Sequence, residues 1–192
     1  MSICNLQGRV IASGWAIELD DAVGLVVHLS LLQTLRDYLR PYVAFSKCAM
    51  PTEGPSDATV FINPAGVELV NGLNVSLDST LDAPSGDAQD GSNEATQLLD
   101  DAQFVFVSAA ISARFLPQML GLHECAAVDF NKGCYLGQEI VARAQFRGKL
   151  KRHLQVIKLD PSQSVVIGEQ LDDKAVVVQA DGSTALVVAP AP

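Results

Sequence analysis

The alternation of apolar and polar positions divides the chain into short elements. "GRVIASGWAIEL" and "GLVVHL" are apolar, β-branched-rich runs separated by "DDAV", a pattern that predicts a β-hairpin. From Ser30, a plausible N-cap, the period lengthens. Leu31, Leu32, Leu35, Tyr38 and Leu39 recur at helical spacing, and Pro41 is expected to end the helix. "YVAFSKCAM" then reads as a returning strand, and "ATVFINPAGVELV" as a second hairpin turning at Asn63, Pro64 and Gly66. A helix laid on one face of a mainly antiparallel sheet is an α+β arrangement.

Order is expected to fade in the middle of the chain. Residues 78 to 101 hold seven acids and no base, with Pro84, Ser85, Gly86, Gly91 and Ser92 among them. The part from Asp82 to Asn93 reads as a mobile acidic loop, too poor in apolar area to offset the entropy of ordering. The apolar pattern resumes at "FVFVSAAISARFLPQMLGL". Past residue 150 the pieces are short and β-rich, "HLQVIKL", "AVVVQ" and "TALVV", which suggests a small C-terminal β-barrel with "APAP" as a loose end. The division expected is a region 1–148 followed by a barrel over 149–192.

Composition narrows the class. A chain of 192 residues with 48% hydrophobic and 18% charged content can bury a real core. Neither a secretory signal nor an apolar run of the roughly 20 residues a membrane helix needs is visible, so a cytoplasmic protein with no membrane partner is expected. Cys4, Cys48, Cys125 and Cys134 form no CxxC pair, and "HEC" with a distant cysteine matches no standard metal-ligand spacing. No metal is assigned.

Charge is unevenly spread. The net charge is −9, yet Lys132 to Lys158 contains seven bases against the single acid Glu139, an excess of +6 that leaves −15 on the remainder. An acidic body disfavours generic coating of nucleic acid, while a compact basic strip can meet one anionic ligand or a phosphate-bearing partner at one face. A solvated basic strand edge accounts for the same charges.

That strip contains "DFNKGCYLGQEIVARAQFRGKLKRHL", where the chemistry concentrates. Gly133 and Gly137 bracket Cys134, Tyr135 and Leu136, and two glycines so placed let a backbone turn sharply or approach a ligand closely. "QEIVARAQF" predicts a helix with Ile140, Val141 and Ala144 inward and Glu139 in the first turn, where the dipole favours an acid. Cys134 then lies near a helix N-terminus with Lys132 two residues before it, and both features lower a thiol pKa. A buried, inert cysteine in a tight turn is the competing reading of the same residues.

"KGCYLGQEIVARAQFRG" closely resembles the signature of the YgfZ family, folate-binding proteins related to the aminomethyltransferase (T-protein) of glycine cleavage. "ARFLPQMLGLHECAAVDFNKGCY" resembles the lead-in to that signature, and "CNLQGRVIASGW" with "YVAFSKC" resembles an earlier hairpin and strand. The resemblance implies GcvT-like antiparallel lobes with helices and a small barrel, enclosing a cavity for tetrahydrofolate. It implies an accessory role in assembling or repairing iron–sulfur clusters in client enzymes, such as radical enzymes that thiolate tRNA, and hence a link to tRNA modification. It also implies that Cys134 is the functional thiol and Lys132 its activator, with Gly133, Tyr135, Gly137, Gln138, Glu139, Arg143 and Arg147 around the folate. A leucine-glutamine-glycine-glutamine element and a downstream aspartate, usual ahead of the first hairpin, are unmatched, which argues against a classical enzyme. A folate-dependent one-carbon (aminomethyl) transferase using Glu139 or Asp129 as base, and a non-enzymatic tRNA-contacting module using Arg143 to His153, are the alternatives.

Overall fold

The two β-rich ends of the chain fold against each other. The computed structural model describes residues 1–18, 23–50, 59–61, 67–70, 73–76, 99, 101–160 and 164–191. The expected acidic loop at 82–93 and the turn at Asn63, Pro64 and Gly66 lie outside the described residues. The architecture is α+β. Strand β1 (Ser2–Cys4) pairs antiparallel with β2 (Val10–Glu18), which pairs in turn with β3 (Val23–Val27) as the alternation predicted.

A turn of 3-10 helix at Leu29–Leu31 leads into α1 (Leu32–Val43). The cap differs from expectation: the ring of His28 accepts from the Ser30 backbone N–H, so the serine is inside the first turn. Pro41 does not end α1 either. It lies in the last turn, where its missing N–H removes one i→i−4 bond, and the helix closes two residues later at Val43. "YVAFSKCAM" is not a strand. Its backbone closes local turns, Phe45 to Tyr42 and Ser46 to Val43, and Phe45 is 94% exposed, so its apolar letters mark no buried face.

In the next sheet β4 (Thr59–Phe61) and β5 (Val67–Val70) do not form the expected hairpin with each other. Both pair with β6 (Leu73–Ser76), in the order β4-β6-β5. After a second 3-10 turn at Pro117–Leu120 comes α2 (Gln138–Phe146), which coincides with the predicted helix. The chain finishes with β7 (Arg152–Lys158), β8 (Val176–Ala180) and β9 (Thr184–Pro190), antiparallel in the order β7-β9-β8. Among the described residues this sheet is open, not a closed barrel. Nor is the C-terminus wholly loose: Pro190 pairs with Arg152 and the Ala191 N–H donates to the Lys151 carbonyl.

Alternate residues of the last hairpin face two different cores. Val176, Val178, Leu186 and Val188 join Cys4, Val10, Leu31, Leu35, Phe104 and Leu122 in the main cluster. Ala175, Val177, Ala185, Val187 and Ala189 pack on the opposite face with Ile157, Leu159, Val165 and Leu171. The period of two puts both sets in one hairpin, so a run such as Ala-Val-Val-Val reads as continuously apolar because both sides are covered.

Side chains fasten the ends together. Segment 104–108 is hydrogen-bonded to side chains of β2 and β8, two buried polar residues that satisfy its backbone. Ser13 Oγ donates to the Val105 carbonyl and accepts from the Val107 N–H, while Gln179 Oε1 accepts from the Phe106 N–H. Buried backbone groups require such partners, and here side chains replace a neighbouring strand. Among the described residues no helix is long and apolar enough to cross a membrane.

Candidate functional site

The signature loop is positioned from behind by the chain's first turn. Between β1 and β2, Asn5 organises residues 5–9: its Oδ1 accepts from the N–H groups of Gln7 and Arg9, and its carbonyl accepts from Gly8. Gly8 adopts φ +69, the left-handed region open to glycine. Against this turn rests Gly137, also left-handed at φ +75 and the N-cap of α2. A Cβ on Gly137 would lie 2.4 Å from the Asn5 carbonyl oxygen and 2.6 Å from the Gly8 Cα. A Cβ on Gly8 would in turn meet Ile140 and Val141 at 3.1 and 3.2 Å. The close approach expected of the signature glycines is therefore to the chain's own backbone at Gly137. Gly133 differs, with a negative φ and open space within 4 Å of where its Cβ would be.

Two further contacts fix α2. Val141 is fully buried, and Gln118 reaches up from the 3-10 turn to donate Nε2 to the Val141 carbonyl at 2.8 Å. The start of the helix is closed locally, since the Gln138 N–H donates to the Tyr135 carbonyl and Gln138 Oε1 accepts from the Tyr135 N–H. Val141 is inward as predicted and Ala144 partly so, but Ile140 is 39% exposed, since its contact with Gly8 covers one side only.

The sequence-assigned residues separate into two groups. At the exposed edge of the signature loop, called the lip below, Cys134 and Gly133 are exposed, and the Lys132 ammonium rests 4.8 Å from the centre of the Tyr135 ring, a cation–π distance. The Tyr135 hydroxyl is buried without a hydrogen-bond partner among the described residues. Burial raises its pKa, with Cys4 and Asp129 adding to the effect. Cys4, beneath the lip, is pushed up to about 11 by desolvation, which Ser2 and Lys132 only partly offset. Along the outer side of α2, Glu139 and Arg143 form an i,i+4 ion pair at 3.2 Å, and Arg147 stands exposed at the C-cap. Asp129, the other base candidate, accepts from the Asn131 N–H and organises a turn.

Gly8, Asn5 and the buried Cys4 were not singled out from sequence. A turn-forming "NLQG" was the available signal, but nothing local says which distant glycine it meets. A hollow of about 520 Å³ lies along α1, bordered by Gln33, Arg36, Asp37, Arg40 and Met50, and contains none of the signature residues.

The geometry defines a glycine-clasped loop that presents a cysteine at a helix N-terminus. No protein-family profile matches the chain. Over 123 residues, 64% of its length, the chain is 36% identical to the tRNA-modifying protein YgfZ of Escherichia coli O45:K1 (strain S88 / ExPEC) and to that of Escherichia coli O127:H6 (strain E2348/69 / EPEC). The protein of the same name from Escherichia fergusonii is 35% identical over the same length. The matched part of the chain is similar to these YgfZ proteins, and it spans 38% of the length of these curated relatives.

Proposed function

We propose that the chain is, or is part of, a tetrahydrofolate-binding accessory protein that supports iron–sulfur cluster assembly or repair in client enzymes and so acts in tRNA modification. The observation that carries this reading is the lip itself. A loop with the YgfZ-like signature holds Cys134 in solvent, braced by the Gly8–Gly137 contact, in a chain whose curated relatives are named tRNA-modifying proteins. The fold is read, by the same resemblance, as a piece of a GcvT-like arrangement.

Several residues suit a folate. Tyr135 offers a half-buried aromatic ring beside the loop, and its buried hydroxyl has no hydrogen-bond partner among the described residues. Gly133 leaves room beside it. Arg143 is the nearer guanidinium for the carboxylates of a glutamate tail, though Glu139 already engages it. Folate would supply one-carbon chemistry or act purely as a ligand. The chain's own part is to hold the ring at the lip and keep the Cys134 thiol beside it.

The transferase alternative finds less support. A general base must be poised against a substrate, whereas Glu139 is 83% exposed and paired, and Asp129 serves a turn. The test is expression in cells lacking their own YgfZ, with modified tRNA nucleosides quantified by mass spectrometry, beside calorimetric titration of tetrahydrofolate into the purified chain. Restored modification with saturable folate heat is expected, and Cys134→Ala should fold yet fail to restore it. Absence of both responses for the unmutated chain refutes the proposal.

A further inference from the structure

The outward arc of α2 is unpartnered among the described residues and has an unusual order of side chains. At 100° per residue, Phe146, Glu139, Arg143, Arg147 and Ile140 follow one another around it, opposite the buried Val141. Each rim of the arc is apolar. Ile140 adjoins the turn at Gly8, two residues from Leu6, which is 69% exposed. Phe146, 70% exposed, meets the Phe130 ring edge-on at 5.5 Å between centroids. Between the rims lie two guanidinium groups and one carboxylate. Since Glu139 is spent on Arg143, the charge left over belongs to Arg147.

From this arrangement we infer that the arc docks an acidic segment of a partner protein, whose carboxylate meets Arg147 and whose flanking apolar side chains cover Ile140 and Phe146. The rims are about 9 Å apart along the helix axis, from six residues at 1.5 Å each. That distance fits two anchors on one short segment with an acid between them. Charge complementarity favours such an occupant, since the face is basic on a chain of net charge −9, and a desolvated carboxylate forms bidentate bonds to arginine. RNA is the poorer fit: Glu139 beside Arg143 opposes a phosphate run, and of the exposed apolar side chains Leu6 and Ile140 are aliphatic, leaving Phe146 alone to stack on a base. This inference goes beyond the folate reading, because the lip at Cys134 is at the other end of α2.

The test is site-specific photo-crosslinking in cells that make the full chain, with the photoreactive amino acid at Phe146 and a control at Val166, which is comparably exposed at 66%. The expected result is one adduct at position 146, mapped by mass spectrometry to an acidic segment with flanking apolar residues. Arg147→Glu should reduce its yield at least tenfold, and replacing the mapped acid in the partner by lysine should restore it. An adduct on RNA, on a second copy or within the chain itself overturns the inference. So does equal yield at Val166, no adduct, or failure of the charge exchange to restore it. Titration of tetrahydrofolate into Phe146→Ala, at a rim residue that the folate reading does not use, is expected to be unchanged, which separates this inference from the folate proposal; a loss of folate binding there also overturns it.

Discussion

The β8–β9 hairpin and the signature loop with α2 are secured in opposite ways. The hairpin is buried on both faces, with Val176, Val177, Val187 and Val188 each at 2% exposure or less. The loop and helix bury one side chain fully, Val141, and otherwise depend on a backbone contact between two glycines and one glutamine hydrogen bond. Area removed from water dominates folding stability, so the hairpin holds the fold together while the loop is docked onto it. Chemistry assigned to the loop can therefore be altered with little cost to the whole.

The largest effect expected from this difference is in the hairpin. Leu186→Ala removes a 1% exposed side chain from the main cluster and should destabilise the chain by about 2–5 kcal/mol. Chemical denaturation measures it. A loss below about 1 kcal/mol would show that the two-faced burial is not the main support.

Next is the thiol at the junction of the two regions. The Cys4 pKa is raised to about 11, chiefly by desolvation, so the folded state keeps its proton where the unfolded chain releases it near the ordinary value. Between about pH 9 and 11 the unfolded state thus binds fewer protons, and stability falls as pH rises. The loss approaches roughly 2–3 kcal/mol at the upper end. Cys4→Ala should flatten this part of the pH profile relative to the unmutated chain, as read from urea midpoints at pH 8 and 10.5. Parallel profiles would break the link between burial at β1 and the lip above it.

The clasp comes third. Gly137→Ala puts a side chain into a left-handed position, at about 1–2 kcal/mol, and into overlap with the Asn5 carbonyl. The overlap can be relieved by lifting the loop from the first turn, so the damage should stay local. Amide exchange should accelerate at residues 5–9 and 138–142 and stay slow in β8 and β9. Uniform acceleration would mean that loop and hairpin unfold as one unit.

Those contacts also explain what could be read from sequence. The bounds of α2 were legible because helix-forming residues follow a glycine and carry Val141 and Ala144 on one side. Strands β7, β8 and β9 were legible as β-branched runs. The clasp was not, because Gly8 and Gly137 are distant in the chain and each looks like an ordinary turn glycine. Segment 104–108 belongs to the apolar run read from the sequence, yet its partners are the side chains of Ser13 and Gln179, a pairing no local pattern encodes. "YVAFSKCAM" failed for the opposite reason. Its apolar residues are in exposed turns, and periodicity cannot distinguish a strand from a helix end followed by turns.

The smallest expected effect isolates the loop's chemistry from its architecture. Gly133 borders Cys134 as Gly137 does on the other side, but it has a negative φ and nothing within 4 Å of a would-be Cβ. Gly133→Ala should therefore shift stability by no more than about 0.5 kcal/mol, with the sign favouring the folded state if the lost freedom of the unfolded chain prevails. Its effect on function should differ. If the open space at Gly133 admits the folate ring, the added methyl group should weaken tetrahydrofolate binding in a calorimetric titration while the urea midpoint stays in place. Unchanged affinity and unchanged stability together would make Gly133 a spacer. The functional part of the lip would then narrow to Lys132, Cys134 and Tyr135.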